Sequence, residues 1–246
     1  MGKHMKKTNK KMMLLSVLRL IFFISLIVST IYIIKWYNDS RQNKILEQKI
    51  SEAIIVENNT SSKYKVDFEN LKSINNQVVG WLRVKGTQIE YPIVQSNNNS
   101  YYLNKNLEKN YNMGGWIFVD YKNKLDGTDK NIVVYGHNMR DNSMFGSLKN
   151  VLTEEWYSNK DNLVIDFITE NEHQKYQVFS VYKIEKEDYY INTEFNKKSF
   201  LEFINTIKNR SIKDFNVDVS AGDSILTLST CADNNNYRVV LHGKKI

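Results

Sequence analysis

The single cysteine of the chain, Cys231, lies where a hydrophobic run meets a polar loop. The run Ile225–Thr230 is typical of a strand, and the Ala-Asp-Asn-Asn-Asn that follows the cysteine is typical of a surface turn. A lone thiol cannot form an internal disulfide, so Cys231 is either a buried filler or a reactive group. The polar loop beside it favours a nucleophile that a substrate can reach.

A thiol attacks well only as the thiolate, and its leaving group must receive a proton, so a histidine is expected nearby. His137 follows the strand-like run Asn131–Gly136, just as Cys231 follows its own run. Two such strand ends could bring thiol and imidazole together. The other histidines have less favourable settings: His4 near the N-terminus, His173 in a charged hairpin tip, and His242 in an apolar strand where a structural role is expected.

Arg238 stands seven residues after Cys231 and begins the last strand-like run. If the intervening residues form a tight loop, its guanidinium returns beside the sulfur and can donate to an oxyanion, a contribution of roughly 3 kcal/mol per donor. An ordinary surface arginine is the alternative. A metal site is not expected, because one cysteine and scattered histidines lack the spacing of metal ligands.

The net charge of +7 belongs to the N-terminal segment. Residues 1–50 contain 10 basic and 2 acidic residues, which leaves 24 basic and 25 acidic residues for the remainder. Nucleic-acid binding would require a basic face on the folded part, and that part is nearly neutral. We therefore expect no nucleic-acid partner.

The stretch Met12–Ile34 is apolar except for Arg19 and is long enough to cross a bilayer as a helix. Lysines precede it, so the positive-inside rule predicts a cytoplasmic N-terminus and an extracellular remainder. A cleaved signal peptide is less consistent, because the apolar core is too long and lacks an Ala-x-Ala-like site. We expect a cytoplasmic tail over 1–11, with 1–4 resembling the remnant of an expression tag, and a transmembrane anchor over 12–34.

Residues 35–63 are predicted as a juxtamembrane helix, Arg41–Val56, followed by a polar linker, Glu57–Ser62. A folded domain is predicted over 64–246. It begins with a second helix, Asp67–Val79, whose apolar residues share one face.

Most of the folded domain is predicted to be strand. The candidates are Trp81–Val84, Gln88–Val94, Gly115–Asp120, Asn131–Tyr135, Leu163–Thr169, Tyr176–Ile184, Ser224–Thr230 and Tyr237–Gly243. Eight short strands suggest a mainly β fold closed into a barrel, since closure removes exposed edges. One further helix is predicted at Lys198–Arg210, between two late strands.

These residues resemble the sortase family of cysteine transpeptidases, and within it class B. The resemblance lies in Thr227-Leu-Ser-Thr-Cys231, the downstream Arg238 and Val134-Tyr-Gly-His137. It continues in Val79-Gly-Trp-Leu82, Tyr101-Tyr-Leu103 and Gly114-Gly-Trp-Ile-Phe118, from about residue 67 to the C-terminus. The helix at 198–210 looks like the one that class B members have between late strands.

The resemblance implies an eight-stranded sortase barrel, membrane anchoring and two successive acyl transfers without a cofactor. Cys231 would attack a Thr carbonyl in a C-terminal sorting signal of a secreted protein and form a thioester. His137 would act first as general acid and then as base, and Arg238 would bind the oxyanion or orient the substrate. An amine of the peptidoglycan cross-bridge would then accept the acyl group.

The class B resemblance suggests an Asn-Pro-x-Thr-like signal, although some relatives accept Pro-x-Thr-Gly variants. Ser229 lies two residues before the cysteine and by strand alternation on its face, so it is a candidate substrate contact or an internal hydroxyl. The segment 184–210 is expected to form a groove wall, with Tyr189 and Tyr190 as candidate contacts. Asp233 is a weaker candidate for orienting His137.

Two other functions fit the same residues. In an extracellular cysteine peptidase, water rather than an amine would resolve the thioester. In a non-catalytic surface-binding module, the barrel would only display its loops.

Overall fold

Eight strands close into a barrel in a computed structural model, which describes the backbone of residues 2–57, 63–232 and 236–246 and the side chains of residues 10–53, 65–230 and 236–246. The chain divides into two units, Met1–Lys44 and Ile45–Ile246. The first unit is helical throughout its described length. Among the described residues, one helical segment, Lys10–Ser51, has the length and apolar composition of a membrane span.

The helices are α1 (Gly2–Ser51), α2 (Phe68–Ile74), α3 (Glu154–Ser158) and α4 (Lys197–Asn209). A small antiparallel sheet is formed by β1 (Ile54–Glu57) and β2 (Lys63–Val66). The barrel strands are β3 (Val78–Val84), β4 (Ile89–Val94), β5 (Phe118–Val119), β6 (Asn131–Gly136), β7 (Val164–Ile168), β8 (His173–Glu185), β9 (Ile225–Ala232) and β10 (Tyr237–Lys245). Short 3₁₀ turns include Tyr101–Leu103 and Tyr189–Ile191.

The strand order around the barrel is β10-β8-β7-β3-β4-β5-β6-β9, and β9 pairs with β10 to close it. The predicted mainly β, eight-stranded architecture is confirmed. Neighbours run antiparallel except for β4 with β5 and β6 with β9, which run parallel. Because β6 and β9 are parallel neighbours, their C-terminal ends lie at the same end of the barrel.

The two faces of the last strands contact different parts of the core. Leu226, Leu228 and Leu241 belong to the cluster that fills the barrel. Ile225 and Val240 face outward and pack with the apolar face of α4. This helix begins with a capping box in which Asn196 and Ser199 satisfy each other's backbone N–H groups. The helix predicted at Lys198–Arg210 is therefore confirmed within one residue at each end.

The helix predicted at Asp67–Val79 is shorter in the structure. Asp67 caps α2 by accepting from the backbone N–H of Asn70. Asn75 ends the helix in an extended conformation, and its Nδ2 donates to the Tyr102 hydroxyl and the Leu107 carbonyl, both at 2.8 Å. These bonds to distant residues hold Asn75 outside the helix, so α2 does not continue for another turn. The next element, β3, begins at Val78.

The end of the predicted helix Arg41–Val56 is also different, because β1 begins at Ile54. Three consecutive β-branched residues favour this strand, and β2 supplies its partner. Of the predicted linker Glu57–Ser62, Glu57 ends β1, whereas residues 58–62 lie outside the described residues.

Candidate active site

A groove of about 370 Å³ lies at the end of the barrel where β6 and β9 finish. It contains two of the predicted catalytic residues, His137 and Arg238. The strands and their exits contribute Phe118, Tyr135, Gly136, His137, Ser229, Thr230 and Arg238. The facing loops contribute Asn99, Leu103, Lys186, Glu187, Asp188, Tyr190 and Ile191.

The backbone register brings the three predicted catalytic positions together. Cys231 on β9 is directly opposite Arg238 on β10, so their Cα atoms are about 5 Å apart. Gly136 pairs with Thr230, and His137 is the next residue along the chain. Three adjacent strands therefore present these positions at one end of the barrel. The side chain of Cys231 and the whole of Asp233 lie outside the described residues.

His137 is held by the main chain of a neighbouring loop. Its Nε2 is 2.8 Å from the carbonyl oxygen of Leu103. A carbonyl oxygen can only accept, so Nε2 must hold a proton and donate it. In neutral His137 the basic nitrogen is therefore Nδ1. The Leu103 carbonyl fixes both the tautomer and the orientation of the ring.

Arg238 lines the groove and is partly buried. Its Nη1 donates to the carbonyl oxygen of Tyr237 at 3.1 Å. Burial raises the pKa of the Tyr190 hydroxyl, and the hydrogen bond with Ser229 and the positive charge of Arg238 offset this rise only in part. Tyr190 therefore remains protonated beside the guanidinium.

Of the three candidate substrate contacts, two line the groove and one does not. Ser229 and Tyr190 line it, and the Ser229 hydroxyl donates to the Tyr190 hydroxyl at 3.2 Å. Tyr189 instead lines a neighbouring cleft, where its ring lies 4.5 Å from the Arg210 guanidinium. The segment 186–191 supplies one groove wall, whereas α4 lines the neighbouring cleft and not the groove.

Sequence reasoning missed a polar cluster beside the groove, to which Asn99 and Tyr135 contribute lining residues. Asp120 is buried, and its Oδ2 accepts from the Tyr135 hydroxyl and from Asn99 Nδ2, both at 2.8 Å. Burial raises the pKa of Tyr135, and the Asp120 carboxylate raises it further. Nothing local in the sequence marks Tyr135, because β6 is an apolar run from Ile132 onward, and nothing local joins it to residues 99 and 120.

The remaining described histidines lie away from the groove. His173 begins β8, and its Nε2 is 2.8 Å from Asp166 Oδ1. The far end of that strand pairs with β10 beside Arg238, roughly 40 Å away along an extended chain. His242 is fully buried between Tyr182 and Thr227, as its apolar strand predicts. Within the described part of the chain, no three or more His, Cys, Asp or Glu side chains are grouped so that they could hold a metal ion.

Burial lowers the pKa of His242 from 6.5 to about 3, which makes stability depend on pH. Well above pH 6.5 the side chain is neutral in both folded and unfolded chains. As the pH falls below 6.5, only the unfolded chain gains this proton, so we expect the free energy of unfolding to decrease by about 2 kcal/mol between pH 7 and pH 5. Denaturant titrations of the full chain in detergent measure this change. An equal decrease in His242→Gln would contradict the assignment to His242.

Comparison with known proteins agrees with this architecture. The sortase domain family model matches residues 82–246. The chain is 32% identical over 223 residues to sortase B of Staphylococcus aureus (strain NCTC 8325 / PS 47), covering 89% of this chain and 90% of that protein. It is 38% identical over 196 residues to sortase B of Listeria monocytogenes serovar 1/2a, covering 76% and 77%.

A solved structure of a Staphylococcus aureus sortase B–substrate complex has the same fold, with a TM-score of 0.68 and 36% identity over 73% of this chain and 84% of that one. Its similarity extends the agreement from sequence to three dimensions. The match of the family model to the barrel and the similarity to class B proteins along most of the chain lead to one assignment: this protein belongs to the sortase family of cysteine transpeptidases and is of the class B type.

Proposed function

We propose that this protein cleaves a C-terminal sorting signal of secreted proteins after a Thr carbonyl, through a thioester on Cys231, and transfers the product to a peptidoglycan cross-bridge amine. The observation that carries the proposal is the convergence of β6, β9 and β10. Their register brings the backbones of residues 137, 231 and 238 to one end of the barrel, where His137 and Arg238 line the groove. With a transpeptidase family established, a non-catalytic binding module is set aside.

In the first transfer, the Cys231 thiolate attacks the carbonyl carbon of the Thr residue, and the developing oxyanion accepts hydrogen bonds from Arg238. The scissile C–N bond then breaks. His137 in its protonated form gives the proton on Nδ1 to the leaving amine. The Leu103 carbonyl supports this role, because it occupies Nε2 and leaves Nδ1 for proton transfer.

In the second transfer, the roles reverse. Neutral His137 takes a proton on Nδ1 from the incoming amine as its nitrogen attacks the thioester carbon. The C–S bond breaks and restores the Cys231 thiolate beside an imidazolium. The enzyme returns to its starting state, and the acyl group has moved from one amine to another.

The groove supports binding of an extended peptide with polar and small residues. Tyr190, Ser229 and Asn99 offer hydroxyl and amide groups, and Ile191 and Phe118 offer apolar surface. The similar Staphylococcus aureus structure is a complex with a substrate. We propose an Asn-Pro-x-Thr-like signal for this protein, with a Pro-x-Thr-Gly-like signal as the other candidate.

We further propose that residues 12–34 anchor the protein in the cell membrane, with 1–11 in the cytoplasm, 35–63 as a connecting segment and the catalytic domain, 64–246, outside the cell. The apolar composition of the N-terminal helix and the lysines before it support this orientation. An extracellular location brings the groove to both secreted proteins and peptidoglycan.

The proposed function predicts that an amine nucleophile diverts the product. When the full chain in detergent is incubated with labelled Asn-Pro-x-Thr and Pro-x-Thr-Gly peptides, we expect cleavage after Thr and an acyl-enzyme on Cys231 by mass spectrometry. Added hydroxylamine or a cross-bridge peptide should convert the product to the Thr hydroxamate or the ligated peptide, because an amine attacks a thioester faster than water.

The chemical form of the product distinguishes transfer to an amine from hydrolysis by water. Product that stays a free Thr carboxylate at every amine concentration would favour the cysteine peptidase. Absence of cleavage after Thr in both peptide series, with folded protein, would contradict the proposed substrate class.

A further inference from the structure

A chain of buried hydrogen bonds crosses the outer face of the barrel beneath the groove wall. It involves Tyr182 on β8, Asn131 on β6, Thr227 on β9 and His242 on β10, which are four neighbouring strands of the barrel. All four side chains are at most 2% exposed. The ring of Phe203 from α4 lies edge-on against His242, with ring centroids 6.1 Å apart.

The contacts run continuously from one side chain to the next. The Tyr182 hydroxyl is 2.9 Å from His242 Nε2, and His242 Nδ1 is 2.8 Å from Thr227 Oγ1. Thr227 Oγ1 is 2.6 Å from Asn131 Oδ1. At the first end, the Tyr189 hydroxyl lies 3.0 Å from that of Tyr182.

At the other end, the series of hydrogen bonds returns to the segment 189–192, where it began. Asn131 Nδ2 donates to the carbonyl oxygens of Tyr190 at 3.2 Å and Asn192 at 2.9 Å. The series of hydrogen bonds therefore begins at the Tyr189 hydroxyl and ends at the backbone carbonyl groups of residues 190 and 192. We call this closed set of contacts the His242 ring.

Chemistry fixes the direction of every bond in the His242 ring. Asn131 Nδ2 must face the two carbonyl groups, so its Oδ1 faces Thr227 and accepts that hydroxyl proton. The Thr227 oxygen then accepts from His242 Nδ1. Since neutral His242 has one N–H, its Nε2 accepts from Tyr182, and the Tyr182 oxygen accepts from Tyr189. Within the His242 ring, the hydroxyl groups of Tyr182 and Thr227 each donate one hydrogen bond and accept one. The Tyr189 hydroxyl, at the start, donates one and accepts none within the ring.

The segment held by the His242 ring is part of the groove. Tyr190 and Ile191 line it, and the Tyr190 hydroxyl accepts from Ser229. A 3₁₀ turn of three residues has few hydrogen bonds of its own, so the contacts that hold it come from the barrel. Two of the hydrogen bonds that reach this wall come from Asn131, which does not line the groove.

We propose that Asn131, Thr227 and His242 are positioning residues that hold Tyr190 and Ile191 in place for the sorting peptide. This inference rests on the proposed function for its substrate. A wall that is no longer held binds the peptide less well in both the ground state and the transition state. Breaking the His242 ring should therefore raise KM and leave kcat nearly unchanged.

Thr227 offers a matched pair of substitutions. Thr227→Val keeps the shape but removes the oxygen that both accepts and donates, whereas Thr227→Ser keeps that oxygen. With the full chain in detergent and the better cleaved of the Asn-Pro-x-Thr and Pro-x-Thr-Gly peptides, we expect Thr227→Val to raise KM about five- to tenfold with kcat within about twofold. Thr227→Ser should restore KM to near the parent value.

Two further variants separate positioning from folding. Val178→Ala, in the barrel interior on β8, should lower the melting temperature without changing KM. Tyr182→Phe breaks the His242 ring at another bond and should also raise KM. It takes the place of Thr227→Val in the test if Thr227→Val does not fold. Unchanged KM in a folded ring variant, or an equal rise in Val178→Ala, would overturn the proposal.

Hydrogen exchange tests the same inference without turnover. Amides of residues 190–192 should exchange faster in Thr227→Val than in Thr227→Ser or the parent, and unchanged exchange would overturn it. If the parent chain cleaves no sorting peptide, the proposed function fails, while the exchange measurement still decides whether the His242 ring holds the groove wall.

Discussion

Replacement of Cys231 by alanine is expected to abolish cleavage of the sorting peptide, with a loss of at least about 10⁴-fold in kcat. No other thiol exists in the chain, so no second nucleophile can form the thioester. The measurement is single-turnover cleavage of the labelled peptide, together with mass spectrometry of the protein. The acyl-enzyme adduct should disappear with the activity.

The alanine variant should still bind the peptide, because the groove walls do not depend on the thiol. Equilibrium binding of a labelled peptide should agree with that of the parent chain within about threefold. Ser73→Ala, on the exposed face of α2, is the matched control and should cleave normally. Residual thioester chemistry in Cys231→Ala would show that the nucleophile lies elsewhere.

Replacement of His137 by alanine is expected to lower kcat by about 10²- to 10⁴-fold, because both the leaving amine and the acceptor amine lose their proton-transfer partner. The peptide should still bind with little change. Steady-state kinetics at several peptide concentrations separate the two effects. A His137→Gln variant cannot exchange a proton and should be similarly impaired.

His173→Ala provides the matched histidine control. The His173 side chain contacts Asp166 on β7, at the end of β8 that lies far from the groove. Its removal should therefore leave kcat and KM at the parent values. Equal losses in the two alanine variants would contradict the assignment of proton transfer to His137. A loss confined to KM in His137→Ala would instead make this residue a binding group.

The strands and the late helix could be predicted because their signals are local. Alternating and β-branched runs predicted the barrel strands, and helical spacing of apolar residues predicted α4. The predictions were wrong where distant partners decide the conformation. Asn75 ends α2 through bonds to Tyr102 and the Leu107 carbonyl, and Ile54 joins a strand because β2 pairs with it.

The candidate site was predictable only in part, for the same reason. The residue types and their positions at strand ends indicated Cys231, His137 and Arg238. The Leu103 carbonyl that selects the His137 tautomer leaves no trace in side-chain identities, since every residue has a carbonyl. Tyr189 was expected to contact substrate, yet the structure directs it to Tyr182, at the start of the His242 ring.

The sequence by itself indicated the family through its resemblance to sortases. It also determined the order of the strands along the chain and the reactive residue types, because strands follow from local periodicity and residue types are read directly. Only the tertiary structure decided which strands are neighbours, and that pairing gave the site its geometry. Parallel pairing of β6 with β9 brings His137 close to Cys231, although 94 residues separate them. Antiparallel pairing of β9 with β10 places Arg238, seven residues after Cys231, directly opposite it. Such pairing depends on long-range burial and hydrogen bonding that local sequence does not specify.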